Sequence, residues 1–497
     1  MTPPRLSKSR IQSGRQCHKR LWLELHHPGL ARWEPAFQAR LDEGTRFGEL
    51  ARDLLGGGEL ITADHLHLQE AFDQTRAALE RPGSQRLMLF EPAFCHEDVR
   101  VRVDAFERNE HAEHGDTLIE VKSTASVKDE HLWDCAIQTW VARGAGRPVR
   151  QVVLAHVNTQ FVYSRTGDYG GLLKQVDITA AVEALQGEIP RIVRELKQVA
   201  SGPKPMIATG RHCTTPYGCP FLTYCRSEEP APSAYPVALL PRAHALVGRL
   251  HDQGYRDLRD VPPGALVNPL HQTIAQATRS GQAWVSERLR SVLAAVPYPR
   301  LFLDFETVRF VIPPWLGTRP FQALPFQFSC HRLASDGTVS HVEFIDLTGQ
   351  SPIDAFVEHL LEAVAGGGPI MVWNQGFEAS RLRELAEMVP ASRDALTQVM
   401  ARLVDLLPLY RTHYYHRDMR GSWSIKAVLA TVAPNLAYGD LEIANGVQAQ
   451  AAYAEAIAGH TSLARRAQIR SELLAYCQRD TLAMMRLMGH HGADIVV

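Results

Sequence analysis

The sequence predicts an α/β protein with two separate cores, and three observations carry that prediction. Two short apolar runs, Leu118-Ile-Glu-Val-Lys122 and Arg300-Leu-Phe-Leu-Asp304-Phe-Glu306-Thr307, each place two charged side chains on one face of a strand. Segments of helical period flank both runs, the layout of a layered α/β core. Between them, Arg226 to Tyr235 is polar and proline-bearing, which marks a boundary. A chain of 497 residues has room for two or three full-sized domains. We expect a first domain at 1–226, a helical linker at 227–298 and a second domain at 299–497.

Composition narrows the class. Hydrophobic content of 45% and charged content of 22% are those of a soluble globular chain. No apolar run approaches the ~20 residues needed to cross a bilayer, and the N-terminal stretch lacks the apolar core of an export signal. The expected location is the cytoplasm, where the eight cysteines read as metal ligands or core residues rather than disulfides. A formal net charge of −1 leaves any nucleic-acid binding to local basic stripes. Lys8, Arg10, Arg15, Lys19 and Arg20 form one candidate stripe, and they fit a solvated helix face equally well.

In the first half, Ser9 to Leu25 reads as a basic helix containing Cys17. Asp42 to Leu55 is a second helix, carrying Glu43 and Glu49 and stopped by Gly56-Gly-Gly58. A third, Leu66 to Leu79, ends near Pro82-Gly83. Arg86 to Glu91 reads as a strand, and Val99 to Phe106 alternates cleanly and carries Asp104. A polar turn from Asn109 to Asp116 leads into Leu118–Lys122, so the two runs form a hairpin with Asp104, Glu120 and Lys122 gathered at one end. Then follow a helix at Lys128–Arg143 with Gln138, a strand at Val149–Val157, and a helix at Ile178–Val199 with Pro190 in mid-course. Two carboxylates can hold a divalent metal, and a lysine can neutralise the attacked phosphate. An E-x-K tripeptide by itself also fits a surface hairpin with a salt bridge.

Cys213, Cys219 and Cys225 are separated by five residues each and join the distant Cys17 to make four thiolates. Those gaps are wider than the usual zinc-ribbon spacing. Four thiolates from distant segments suit an iron–sulfur cluster clamping the first helix to the end of the domain. Cys95, Cys135, Cys330 and Cys477 read as core residues.

The arrangement Asp104 … Glu120-x-Lys122, bracketed by one cysteine before and three after, resembles the RecB-type PD-(D/E)XK nucleases that carry a [4Fe–4S] cluster. The resemblance covers residues 1–226. It implies a restriction-endonuclease-like core, metal ligation by Asp104 and Glu120, a catalytic role for Lys122 and a supporting acid at Glu91 or Glu49. Gln138 matches the glutamine of the helix after the core. The triplet spacing differs from the common C-x2-C-x5-C, and Ala142 stands where Q-x3-Y has its tyrosine.

In the linker, short helices are broken by Gly254 and Pro262-Pro-Gly264. In the second half, strands are expected at Arg300–Thr307, Gln322–His331 and His341–Asp346. A helix capped by Ser351 runs to Val364, and Gly366-Gly-Gly-Pro369 leads to the strand Ile370–Trp373. Further elements are a helix to Met388, Val404–Tyr410, Trp423–Val432 and a final helix at Glu472–Met488. Asp304 and Glu306 share a strand face, and Tyr476 and Asp480 share a helix face at i, i+4. With Glu378, four acids on separate elements match what a two-metal phosphodiesterase needs.

The pieces Asp304-Phe-Glu306, Asn374-x2-Phe377-Glu378, Ser424-Ile-Lys426 and Tyr476-x3-Asp480 resemble, in order, the DEDDy exonucleases of the RNase H-like fold. The resemblance implies Tyr476 orienting the water beside Asp304, Glu306, Glu378 and Asp480, with Mg²⁺ or Mn²⁺. Glu378 stands where that family has aspartate, and Asp405 resembles an acid near such sites. The tandem resembles a bacterial RecB-like family whose C-terminal domain has no settled function. The expectation is a metal-dependent nuclease acting on nucleic acid, DNA by preference, with DNA ends or single strands as partners. The alternatives are a nucleic-acid-binding factor with one or both centres inactive, and a zinc-stabilised scaffold recruiting a helicase.

Overall fold

The computed structural model describes residues 6–33, 36–64, 66–81, 86–109 and 115–492. It divides into two compact units, Met1–Ala231 with Phe310–Phe321, and Pro232–Arg309 with Gln322–Val497. Both mix helices with sheets. The expected helix stop at Pro82-Gly83 and residues 110–114 of the expected polar turn lie outside the described residues.

The first unit runs β1 (Leu6–Ser7), α1 (Lys8–Gln16), α2 (His18–His26), α3 (Ala36–Leu54), β2 (Glu59–Leu60), α4 (Leu68–Glu80), β3 (Leu87–Phe90), β4 (Ala93–His96), β5 (Val99–Arg102), β6 (Ala105–Arg108), β7 (Asp116–Lys122), α5 (Asp129–Gly144), β8 (Val149–Val157), β9 (Leu173–Asp177), α6 (Thr179–Gln186), α7 (Ile189–Ser201) and α8 (Leu222–Ser227). Its main sheet has the order β2-β3-β6-β7-β8-β9. β7 lies inside it, antiparallel to β6 and parallel to β8. A parallel neighbour needs a crossover, which α5 supplies. The apolar face of the helices and both sheets share one core that includes Val101, Phe106, Leu118, Leu154 and Ile137.

Three expectations for this unit are corrected. The alternating run Val99–Phe106 is two strands: β5 pairs with β1 and β4 in a separate three-stranded sheet, and β6 joins the main one. Alternation specifies which face is buried and not which partner strand is chosen; Val99, Val101 and Val103 are buried all the same. The helix expected at Ser9–Leu25 breaks at Cys17, whose backbone is extended at φ −164°, ψ 120°. The helix at Ile178–Val199 restarts at Ile189, with Pro190 in its first turn, where a missing N–H costs nothing.

The second unit runs α9 (His244–Asp252), α10 (Pro269–Ser280), β10 (Trp284–Val285), α11 (Glu287–Ala294), β11 (Arg300–Val308), β12 (Leu324–Leu333), β13 (Val339–Ile345), α12 (Ile353–Ala363), β14 (Ile370–Val372), α13 (Gln375–Met388), α14 (Arg393–Ala401), β15 (Leu403–Asp405), α15 (Leu406–His413), β16 (Tyr414–Tyr415), α16 (Ile425–Val432), α17 (Gly446–Ile457) and α18 (Leu463–His491). Its main sheet has the order β13-β12-β11-β14-β15. β11 is antiparallel to β12 and parallel to β14. On one face Phe305 and Phe328 pack against Phe356 of α12. On the other, Cys477 of α18 meets the Asp304 carbonyl, with Sγ donating at 3.6 Å. The period of two along β11 thus sends Phe305 to the apolar layer and Asp304 and Glu306 toward α18.

Residues from Pro232 onward, expected as a spacer, pack within this unit, and β10 pairs with β16. Ser351 does not cap α12, because the chain turns one residue later and Pro352 takes that position without a side-chain bond. Val404–Tyr410 divides into β15 and α15 at Asp405, whose carboxylate accepts the Leu407 N–H at 3.0 Å. Gly368 does meet a steric demand: it sits at φ +90°, and a Cβ there would lie 2.1 Å from the Pro299 carbonyl.

Candidate active sites

In the first unit, the register Ala105↔Ile119 brings Asp104 beside Glu120 at the end of the β6–β7 pair. Asp104 Oδ2 accepts the Val121 N–H at 2.7 Å. Glu120 is fully buried, and both of its oxygens are engaged. Lys8 donates to Oε1 at 2.8 Å, Lys122 approaches the same oxygen at 2.7 Å, and Gln138 donates to Oε2 at 2.7 Å. Lys122 also donates to Asp134 at 2.8 Å, and Gln12 holds the other oxygen of Asp134 at 2.9 Å. Burial opposes ionisation of Glu120, but Lys122 and Lys8 outweigh it and hold the carboxyl well below its usual range. Asp104 goes the other way: burial, reinforced by the charge of Glu120, pushes it up to about 7. Burial disfavours the Lys8 ammonium, yet Glu120 carries it up to about 12.

A cleft of about 390 Å³ opens over this site, with Asp104, Lys122, Glu91, Arg40 and Arg52 on its walls. Glu91 holds a left-handed backbone at φ 58° and pairs with Arg52 and Arg102. Of the two supporting acids considered, Glu91 faces the cleft, whereas Glu49 is exposed and does not line it. Asp134 was missed by sequence reasoning, as was the pairing of Lys8 with Glu120. Asp134 was legible, since it sits one turn before Gln138 on α5; the pairing was not, since Lys8 lies 112 residues from Glu120.

Four of the five cations of the basic stripe are held by partners within the fold. Lys8 is committed to Glu120, Lys19 to Glu228 at 2.9 Å, Arg20 to Glu24 at 2.9 Å, and Arg15 stacks 3.6 Å over the Trp133 ring. These cations hold the fold together rather than line an open face.

The four cysteines of the expected cluster are free thiols that lie close enough to influence one another's charge. Cys17 sits at the α1–α2 break, and the Cys219 N–H bonds the Cys213 carbonyl at 2.9 Å. Burial raises the Cys219 and Cys225 thiols, with Cys17 and Cys213 adding to it. Arg20 and Lys19 act in the opposite direction and favour thiolates. Cys225 packs with Leu23 and Phe221, so α2 and α8 share one small core. The donor set fits a four-thiolate group. Among the described residues these thiols are not drawn within 4.8 Å of one another, the spacing that the one compact ligand group has. Cys135, Cys330 and Cys477 are buried as expected, but Cys95 is exposed on β4, the strand that borders its sheet.

That compact group is in the second unit. Asp304, Glu306 and Asp480 offer oxygens all within 4.8 Å of one another. Burial pushes all three carboxyls up, and repulsion from the neighbouring acids adds to it at Asp304 and Glu306: Asp304 lies well above its usual value, Glu306 at about 8 and Asp480 at about 6. Asp480 moves least because it accepts the Tyr438 hydroxyl at 2.5 Å. Lys426 is the nearby cation; burial lowers its pKa while the three acids raise it. It donates to the Tyr476 hydroxyl at 3.1 Å and lies 4.7 Å from the ring centres of both Tyr438 and Tyr476. Burial and the neighbouring acids keep the Tyr476 phenol protonated.

Glu378 stands outside the group of three. It is buried on α13, its Oε2 has no partner among the described residues, and burial raises it to about 8, Asp405 adding to the effect. Its charge is felt at Asp304. Asp405, left without a role by the sequence, caps α15. Tyr438 was missed, and nothing in its local sequence marks it.

A family model described as Domain of unknown function (DUF2779) matches residues 301–424. That span holds Asp304, Glu306 and Glu378 and stops before Lys426, Tyr476 and Asp480. No curated protein matches the chain.

Proposed function

We propose that the chain is a metal-dependent nuclease with two centres, the first of PD-(D/E)XK type and the second an exonuclease-like centre in an RNase H-like unit. One observation carries this reading: half-buried Asp304 and buried Glu306 and Asp480 bring carboxylate oxygens within 4.8 Å of one another, with Lys426 as the nearby cation among the described residues, a constellation short of positive charge. Asp304, Glu306 and Asp480 would hold a divalent ion, with Glu378 able to join them from α13. A bound Mg²⁺ or Mn²⁺ would supply phosphate polarisation and a more acidic water. The chain's own groups do the positioning. Tyr476 presents its hydroxyl toward the acids, Lys426 fixes that hydroxyl, and Tyr438 holds Asp480. In the first unit Asp104 and Glu120 are the ligands and Lys122 the phosphate-facing cation. The four cysteines are proposed to hold a [4Fe–4S] cluster.

A second reading of the first unit has its own support. Glu120 is already neutralised by Lys8 and Lys122, as in a site that grips nucleic acid without cutting it. End-labelled single- and double-stranded DNA and RNA, digested with Mg²⁺ or Mn²⁺, separate these readings. Asp304→Ala should abolish stepwise shortening. Lys122→Ala should reduce the remaining cleavage by about 10²–10³-fold, as for loss of a transition-state charge stabiliser. If Asp304→Ala alone removes all cleavage, the first unit only binds. If digestion persists in the double variant, the nuclease assignment of both sites is wrong.

A further inference from the structure

The second unit carries a cleft that neither set of acids uses. Its volume is about 600 Å³, and no carboxylate lines it. Arg242 and Arg411 stand exposed on its walls, and neither forms an ion pair among the described residues. Three helices begin at its edge: α10 at Asn268, α13 at Asn374 and α16 at Ser424. Asn268 and Ser424 each cap one N–H of their helices, and the remaining first-turn N–H groups add positive potential.

Two independent features point to a ligand. His271 is 7% exposed and lines the cleft; its Nε2 donates to the Pro241 carbonyl at 3.0 Å, and its buried Nδ1 has no partner among the described residues. Asn374 holds a left-handed backbone at φ 123°, ψ 69°, and its side chain makes no cap bond to α13. A non-glycine residue held in such a conformation is strained, and strain of this kind concentrates at binding sites.

We propose that this cleft binds the backbone of a single-stranded polynucleotide, DNA or RNA, whose end runs on to the acids of the same unit. Arg242 and Arg411 take phosphates. The path is short. Asn374 precedes Glu378 by one turn of α13, roughly 6 Å of helix rise, and Ser424 precedes Lys426 in the first turn of α16. The proposal rests on the nuclease reading for the role of the strand end, and binding tests it separately.

The experiment is fluorescence anisotropy on the full chain in EDTA, with labelled DNA and RNA single strands of about 12 nucleotides. Arg242→Glu with Arg411→Glu should weaken binding of one or both strands at least tenfold. The double variant should also flatten the salt dependence of log K by roughly 1.4, as expected for two lost phosphate contacts on a single strand. Arg242→Lys with Arg411→Lys should retain most of the affinity. Arg194→Glu, exposed on α7 of the first unit, is the charge control and should change little. Unchanged affinity and slope in the double reversal would overturn the proposal. An equal loss in the control, or displacement of the strand by equimolar inorganic phosphate, would also overturn it. Lost binding alongside a chain that never cleaves would count against the nuclease reading alone. Intact binding alongside Asp304-dependent cleavage would count against the cleft alone.

Discussion

Glu120 and Glu378 show how differently two buried carboxylates can be treated. Glu120 has two lysines and a glutamine, so it stays charged without any metal. Removing one of two cations should cost less than stripping a buried charge of its only partner. Lys8→Met should destabilise the first unit by about 1–3 kcal/mol and should tighten Mn²⁺ binding, because an internal ammonium no longer competes for Glu120. Thermal melts and titration calorimetry read the two effects, and weaker Mn²⁺ binding in Lys8→Met would refute the competition. Glu378 lacks such partners, and its folded pKa of about 8 lies above the ordinary carboxyl value of 4.5. The folded state therefore holds a proton that the unfolded state releases, and stability falls as pH rises from about 4.5 to 8. Glu378→Gln cannot ionise, so its melting temperature should fall less than wild type over that window. Equal slopes for the two proteins would mean that Glu378 is not desolvated as described. Glu378→Asp places there the aspartate of the DEDDy exonucleases that the second unit resembles; under the proposed function it should retain or raise 3′-end shortening in a Lys122→Ala background.

At the scale of elements, the break at Cys17 bears on the proposed cofactor. A continuous helix would carry Cys17 as one more side chain along its flank; the extended residue starts α2 on a new axis beside Cys225 and Phe221. If the four thiols hold a [4Fe–4S] cluster, Cys219→Ser should bleach the brown protein and lower the melting temperature of the first unit. A colourless protein with stoichiometric zinc would exclude iron. The strands β7 and β11 and the Tyr476/Asp480 face of α18 were legible, because period two and period 3.6 are local signals. The split of Val99–Phe106 was not legible, since alternation is blind to partner strand. Nor was the break at Cys17: no proline stands there, and Gly14, three residues earlier, lies inside α1 rather than at the break. Lys8 and Tyr438 were hidden for a related reason: each meets its acid across a long stretch of chain, 112 residues for Lys8 and 42 for Tyr438.

Across the whole molecule, the two centres sit in opposite states of charge balance, and this separates them in one measurement. The first unit neutralises its buried acid internally; the second crowds Asp304, Glu306 and Asp480 with Lys426 as the nearby cation. Their raised pKa values mean that the folded second unit binds protons the unfolded chain would release, so its stability falls as pH rises from about 4 toward 8. Asp104, at about 7, contributes the same sign in the first unit. Glu120, depressed, contributes the opposite sign, stability lost as pH falls through the acid range. In EDTA, the melting temperature should therefore decline between pH 5 and pH 8. Mn²⁺ replaces the protons with a cation, so it should reverse the decline, with its largest stabilisation at the alkaline end. Asp304→Asn with Asp480→Asn removes two of the crowded charges and should flatten both the pH slope in EDTA and the Mn²⁺ effect. If that variant keeps the full Mn²⁺ stabilisation at pH 8, the ion binds elsewhere, and the carboxylate cluster of the second unit is not the principal metal site.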